Sequence, residues 1–218
     1  MIDTTFGTAS GALATRTTVL QNTYRLLSMT LIWSSVTAYL GMLFPVGGFG
    51  MLGIMLLAIG ILFATRAYSN SGTGVLLVFG FTGLMGFSLG PTMNHYLSLP
   101  HGSEIVGTAL LATGAAFLGL SAYVQVTKKD FAFLGGFLMV ALIGLLVVSL
   151  IGMFFPTPAL SLGLAYISVL IFGGYILYDT SNIISGRETN YIMATISLYL
   201  DILNMFLAIL RIVTGSRN

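Results

Sequence analysis

The chain contains no cysteine. No disulfide and no thiolate metal site can form, and cysteine usage says nothing about redox compartment. Charge is almost as scarce. Only 6% of the 218 residues are Asp, Glu, Lys or Arg, where a soluble domain carries about 25%. The formal charge of +2 is too small to argue for nucleic acid as a partner. No stretch is polar enough to build a second, soluble domain. Walker, GxSxG, HExxH and dinucleotide fingerprints do not occur, so the sequence points to no enzyme class and to no cofactor.

What is abundant is hydrophobic. Such residues make up 56% of the chain, and mean hydropathy is +0.99. This predicts an all-α integral membrane protein, with the lipid bilayer as its first partner. Seven apolar runs come close to the ~20 residues that a bilayer crossing requires. They cover residues 24–44, 49–65, 73–89, 104–126, 131–155, 159–178 and 191–213. Short connections rich in Gly, Pro, Ser and Asn separate them. Residues 1–23 are polar and predict a flexible cytoplasmic tail. Residues 24–213 then form a single seven-helix domain, and 214–218 a short C-terminal tail. The apolar run after the N-terminal tail is too long for the core of a signal peptide.

Orientation follows from basic residues. With the N-terminus in the cytoplasm, Arg16, Arg25, Arg66, Lys128, Lys129 and Arg187 fall inside, and Arg211 and Arg217 outside. This satisfies the positive-inside rule. The side of the C-terminus stays open, because a re-entrant last segment would return Arg211 and Arg217 to the cytoplasm. The oligomeric state is not legible, and a monomer is compatible with the sequence.

Two carboxylates lie within or against the last two runs, Asp179 and Asp201. On insertion scales a charged residue at mid-membrane costs about 2.5–3.5 kcal/mol, so such residues tend to face a bundle interior and to be functional. Their spacing agrees. Ala194, Ser197, Asp201, Asn204, Ala208 and Arg211 alternate steps of three and four, one face of a helix. Ser161, Ala165, Ser168, Phe172, Tyr175, Asp179 and Asn182 repeat the design one span earlier. Two polar seams, each with one acid, predict helices facing a shared interior. Tyr175, Asn182, Ser197 and Asn204 are then candidates to line it. Two adjacent carboxyls titrate as a pair, and their ionised oxygens suit a hard cation such as Ca²⁺. The alternative is two structural hydrogen-bonding groups, a reading most serious for Asp179, which sits close to the predicted end of its helix.

Other polar residues carry less. Arg66 ends the second run, where it serves as a positive-inside anchor or as a latch on a carboxylate. His95, His101, Asn94 and Glu104 share one predicted outer loop, a weak metal pattern. Gly80, Gly83, Gly86 and Gly90 lie on one helix face and predict close helix packing.

Several segments together resemble the Bax-inhibitor family: FLGGFLM after KKD, FTGLMGFSLGP in the third run, YDTSNII ending the sixth and ISLYLDILNMFLAILR in the seventh. The resemblance covers nearly the whole chain from Asn22. QNTYRLLS and GRETNYI look most like its bacterial branch, which includes a modulator of an FtsH-type membrane protease. The resemblance implies a seven-helix fold with the last helix central in the bundle, and a place in the bacterial inner membrane. It implies a pH-sensitive Ca²⁺ leak gated by an aspartyl pair, and Asp179 and Asp201 match that pair. Arg66 matches the family's latching arginine, although the residues around it match loosely. The alternative it implies is modulation of an FtsH-type protease. An intramembrane aspartyl protease would also use two helix-borne acids, but its GxGD context is missing around Asp201, where the chain reads YLD.

Overall fold

The computed structural model describes residues 4–44 and 46–216, with side chains from Arg16 onward. Met1–Asp3, Pro45 and Arg217–Asn218 lie outside the described residues; with them go the start of the expected N-terminal tail, part of the first turn and one of the two outer arginines. Eight α-helices follow one another: α1 Thr4–Leu43, α2 Gly48–Ala67, α3 Gly72–Ser88, α4 Gly90–Leu97, α5 Gly102–Thr127, α6 Leu134–Phe154, α7 Pro158–Ser185 and α8 Tyr191–Gly215. No strand occurs among the described residues. Counting α3 and α4 as one segment, seven stretches are long and apolar enough to cross a membrane.

The helices outrun the sequence expectations in three places, each for a local reason. First, α1 already runs at Thr4, inside the segment expected to be a tail. Adding residues to an existing helix costs far less than nucleating one. Second, α4 occupies most of what was expected to be an outer loop. Pro91 sits in its first turn, where a missing N–H breaks no intrahelical bond. Third, α7 continues past Tyr178 to Ser185. The polar residues that seemed to end it have partners: Ser181 Oγ donates to the Tyr178 carbonyl at 3.0 Å and accepts from the Phe131 N–H at 3.2 Å. The Thr180 and Ser121 hydroxyls meet at 3.4 Å. Asp179 therefore lies inside a helix and not at its edge. The last segment is one continuous helix, not a re-entrant hairpin.

The chain divides into two compact units, Met1–His95 with Ile183–Tyr199, and Tyr96–Asn182 with Leu200–Asn218. In the first, small residues bring α1 and α3 together. A Cβ on Gly86 would collide with the Ser34 carbonyl and the Thr37 hydroxyl, and one on Gly90 with the Gly41 backbone. Tyr199 of α8 is fully buried here. Its hydroxyl lies 2.7 Å from Ser34 Oγ and donates to the Thr82 carbonyl at 3.3 Å. The loop before α8 is fixed by Asn190, whose Oδ1 accepts the Ile192 and Met193 N–H groups and whose Nδ2 donates to Ser69 and Asn70.

In the second unit, α6 and α7 run side by side. A Cβ on Gly135 would meet the Tyr178 ring and one on Gly174 the Leu138 side chain. Burial separates the spans. α2 and α6 are only 11% buried and show large apolar side chains such as Phe63 and Phe137, as lipid-facing helices do. α8 is 56% buried, against 39% or less for the other spans among the described residues.

Candidate functional site

The site is built on α7 and on α8 from Leu200, both in the second unit. Every residue of the expected α7 seam is shielded: Ala165 and Phe172 are buried, and Ser161, Ser168, Tyr175, Asp179 and Asn182 are half-buried. The α7 positions between them, Gly163, Tyr166, Ile167 and Leu170, are exposed. The 3.6-residue period thus sorts this helix into an inner and an outer side. On α8 it does not. Asp201 is buried with 6% exposure, but so are Ile202, Leu203 and Leu210 around it. Burial surrounds this helix, so its seam is one line in an enclosed surface.

The structure brings the two acids together. The Asp201 and Asp179 carboxyls come within hydrogen-bonding reach of each other. A hydrogen bond between two carboxyl groups requires a proton on one of them, because an ionised carboxylate only accepts. Tyr175, one turn before Asp179, lies within electrostatic reach of both acids. Its ring stacks obliquely on Phe172 at 6.4 Å and edge-on to Tyr178 at 6.5 Å, closing the α7 side with aromatic surface. The second oxygen of Asp201, Oδ2, is buried with no hydrogen-bond partner. An unsatisfied buried acceptor costs about 1–3 kcal/mol, and among the described residues no other buried side-chain N or O atom is left without a partner.

The other expected site residues are distributed as follows. Asn204 is half-buried on α8, and its Nδ2 donates back to the Leu200 carbonyl at 2.8 Å. Asn182 is half-buried three residues beyond Asp179. Ser197 is half-buried but falls in the first unit. Arg66 also belongs to the first unit, as an exposed side chain in the last turn of α2. His101 and Glu104 approach to 3.5 Å, but both are mostly exposed, at 69% and 62%. No group of three or more His, Asp or Glu that could hold a metal ion occurs among the described residues. Ca²⁺ takes six to eight oxygens in a resident site, more than two carboxyls supply.

Sequence reasoning missed Tyr199 and Asn190. The first was indistinguishable from other aromatics on α8. The second had a readable signal, an Asn immediately before a helical run, which is a preferred N-cap.

Comparison with known proteins agrees with the architecture. The chain is 47% identical over 195 residues to a membrane protein of Vibrio cholerae, covering 89% of this chain and 87% of that one. It is 42% identical over 194 residues to the "Modulator of FtsH protease YccA" of Escherichia coli K12, covering 89% and 88%. A Pseudomonas aeruginosa relative is also 42% identical, over 89% and 87%. Residues 16–218 match the family described as "Inhibitor of apoptosis-promoting Bax1", and this multi-pass membrane protein, with seven stretches apolar enough to cross a membrane among its described residues, belongs to the Bax-inhibitor family.

Proposed function

We propose that the chain is a non-enzymatic inner-membrane protein that lets cations, Ca²⁺ foremost, leak past the Asp179/Asp201 pair under control of its shared proton. The observation that carries this reading is the unpartnered, buried Oδ2 of Asp201, beside a second carboxyl within hydrogen-bonding reach. Loss of the shared proton leaves two like charges side by side, which repel. A passing cation offsets that repulsion and occupies the free oxygen. Tyr175, Asn182 and Asn204, which belong to the same unit as the pair, serve as polar lining on this reading. The N-terminus lies in the cytoplasm, in accordance with the basic residues.

A second reading rests on a specific likeness: one relative at 42% identity bears the name of a modulator of FtsH protease. On this reading the chain binds an FtsH-type protease and alters turnover of membrane proteins. The two readings are compatible, and one set of variants separates them. Asp201→Asn keeps size and hydrogen-bonding capacity but removes the ionisable group. Ca²⁺ flux in liposomes holding only this protein is measured across pH for wild type, Asp179→Asn, Asp201→Asn and the double variant. Each single variant is expected to lose most of the pH dependence, and the double to add little, because the two acids form one network. If both singles titrate like wild type, the carboxyls are structural and the leak reading fails. Turnover of an FtsH substrate, followed in cells expressing the same variants, should stay normal if modulation is separate from the leak. No effect of the wild-type chain on turnover would remove the second reading.

A further inference from the structure

The glycines of α6 and α7 are used in two opposite ways. At one end, Gly135 and Gly174 let the helices touch, with the Tyr178 ring and the Leu138 side chain filling the place of a Cβ. At the other, beside the Pro156–Pro158 turn, Leu160 lies 3.3 Å from a Cβ on Gly152. Between these contacts Gly144 on α6 and Gly163 on α7 are exposed, and a Cβ on either would meet nothing within 4 Å. Glycine in a membrane helix normally serves close approach. Here it leaves a slot.

Two adjoining cavities fill that slot. One, of about 530 Å³, is lined almost wholly by apolar side chains from Phe137 to Ile171 and includes both open glycines. The other, of about 740 Å³, shares Leu160 and Leu164 with it and reaches the α6–α7 turn. This second cavity is polar at its head: Ser149, Thr157, Ser161 and the Arg211 guanidinium of α8 line it. No acidic residue lines either cavity. Arg211 is exposed and makes no ion pair with a described residue. From Phe137 to Met153 the groove follows α6 for sixteen residue steps, about 24 Å at 1.5 Å per step. One leaflet of the hydrocarbon core is roughly 15 Å deep.

We propose that this groove is a binding site for an anionic phospholipid, with its phosphate on Arg211 and the surrounding hydroxyls and one acyl chain in the slot over Gly144 and Gly163. The chemistry matches at both ends. A guanidinium presents a fork of donors suited to a phosphate, and the cavity wall offers it no carboxylate instead. The floor is smooth where glycine replaces a side chain, so an alkyl chain can lie along it. The polar end and the apolar slot are joined in the order in which a lipid headgroup and tail are joined. Bulk lipid covering an exposed helix needs neither a basic head nor a recessed floor. The proposal is independent of the Asp179/Asp201 reading.

The test uses the purified full-length protein in detergent. Phosphatidylglycerol and phosphatidylcholine of equal chain length are offered separately, and retained lipid is counted by native mass spectrometry. Wild type is expected to keep one phosphatidylglycerol and to prefer it about fivefold, the typical effect of one basic residue at an anionic surface. Arg211→Gln should reduce that preference to about one. Gly144→Leu and Gly163→Leu fill open space and should keep the wild-type melting temperature while losing retention of both lipids. Equal retention of the two lipids by wild type would mean adventitious annular lipid only, and would overturn the proposal. So would an undiminished preference in Arg211→Gln, or unchanged retention in both glycine variants. Inorganic phosphate displacing the lipid as well as phosphatidylglycerol itself would remove the acyl chain from the site.

Discussion

Asn190 offers a measurable test of how the first unit is held. Its side chain uses both ends. Oδ1 accepts from the N–H of Ile192 at 3.0 Å and of Met193 at 3.1 Å, capping α8. Nδ2 donates to the Ser69 carbonyl at 3.1 Å and to Asn70 Oδ1 at 3.0 Å, tying that cap to the α2–α3 turn. Loss of an N-cap costs about 1 kcal/mol, and each lost hydrogen bond about 0.5–1.5 kcal/mol. Asn190→Ala should therefore cost about 2–4 kcal/mol, and its half-exposed position favours the lower figure, since water replaces part of what is lost. At roughly 2–4 °C per kcal/mol for a chain of this size, the melting temperature should fall by about 4–8 °C. Asn190→Ser separates the two roles, because a serine oxygen still caps but is too short to bridge to Ser69 and Asn70. It should lose about half as much. The assay is a thermal melt of the full-length protein in one detergent, followed by circular dichroism. An alanine variant that melts with wild type would show the network to be idle. A serine variant that falls as far as alanine would show that the cap contributes nothing and that the division above is wrong.

Tyr199→Phe removes a hydroxyl that serves both Ser34 and Thr82 in a fully buried position; a loss of about 1–3 kcal/mol is expected. Ser34→Ala added to it should cost little more, as measured by denaturant unfolding, since both remove one network. Gly90→Ala drives a methyl group into the Gly41 backbone, which has no flexible side chain to yield; a loss of about 3 kcal/mol is expected. Gly107→Ala is the control, because nothing lies within 4 Å of its Cβ, and higher helix propensity should leave stability equal or slightly raised.

How much of this was readable depends on the kind of signal. The span positions were legible, because ~20 apolar residues between breakers is a constraint set by the bilayer itself. The α7 seam was legible for the same reason that any amphipathic helix is: one side is shielded and the other is not. Helix ends were not. Asp179, Thr180, Ser181 and Asn182 read as a polar terminus, yet Ser121, Phe131 and Tyr178 supply partners that let the helix continue. Those partners are distant in sequence or hidden in the backbone. The glycines show the same limit. Gly86 and Gly90 do pack tightly, as their spacing predicts, but Gly144 and Gly163 face open space, and the sequence holds nothing that separates the two uses.

The polar residues of α8 differ in how their hydrogen bonds close. Thr195 returns its hydroxyl to the Tyr191 carbonyl, Asn204 its amide to Leu200 and Thr214 its hydroxyl to Leu210. Each of these satisfies itself one turn back along its own helix, as short polar side chains in apolar surroundings commonly do. Tyr199 is satisfied by Ser34 and Thr82. Asp201 does not do the same: its carboxyl faces Asp179 and not a backbone carbonyl one turn back. Its Oδ2 is left without a partner. Among the described residues, the same helix thus contains polar groups that are satisfied within the protein and one atom that is not. It is chemistry, not position on the helical face, that sets Asp201 apart from the other polar residues of α8.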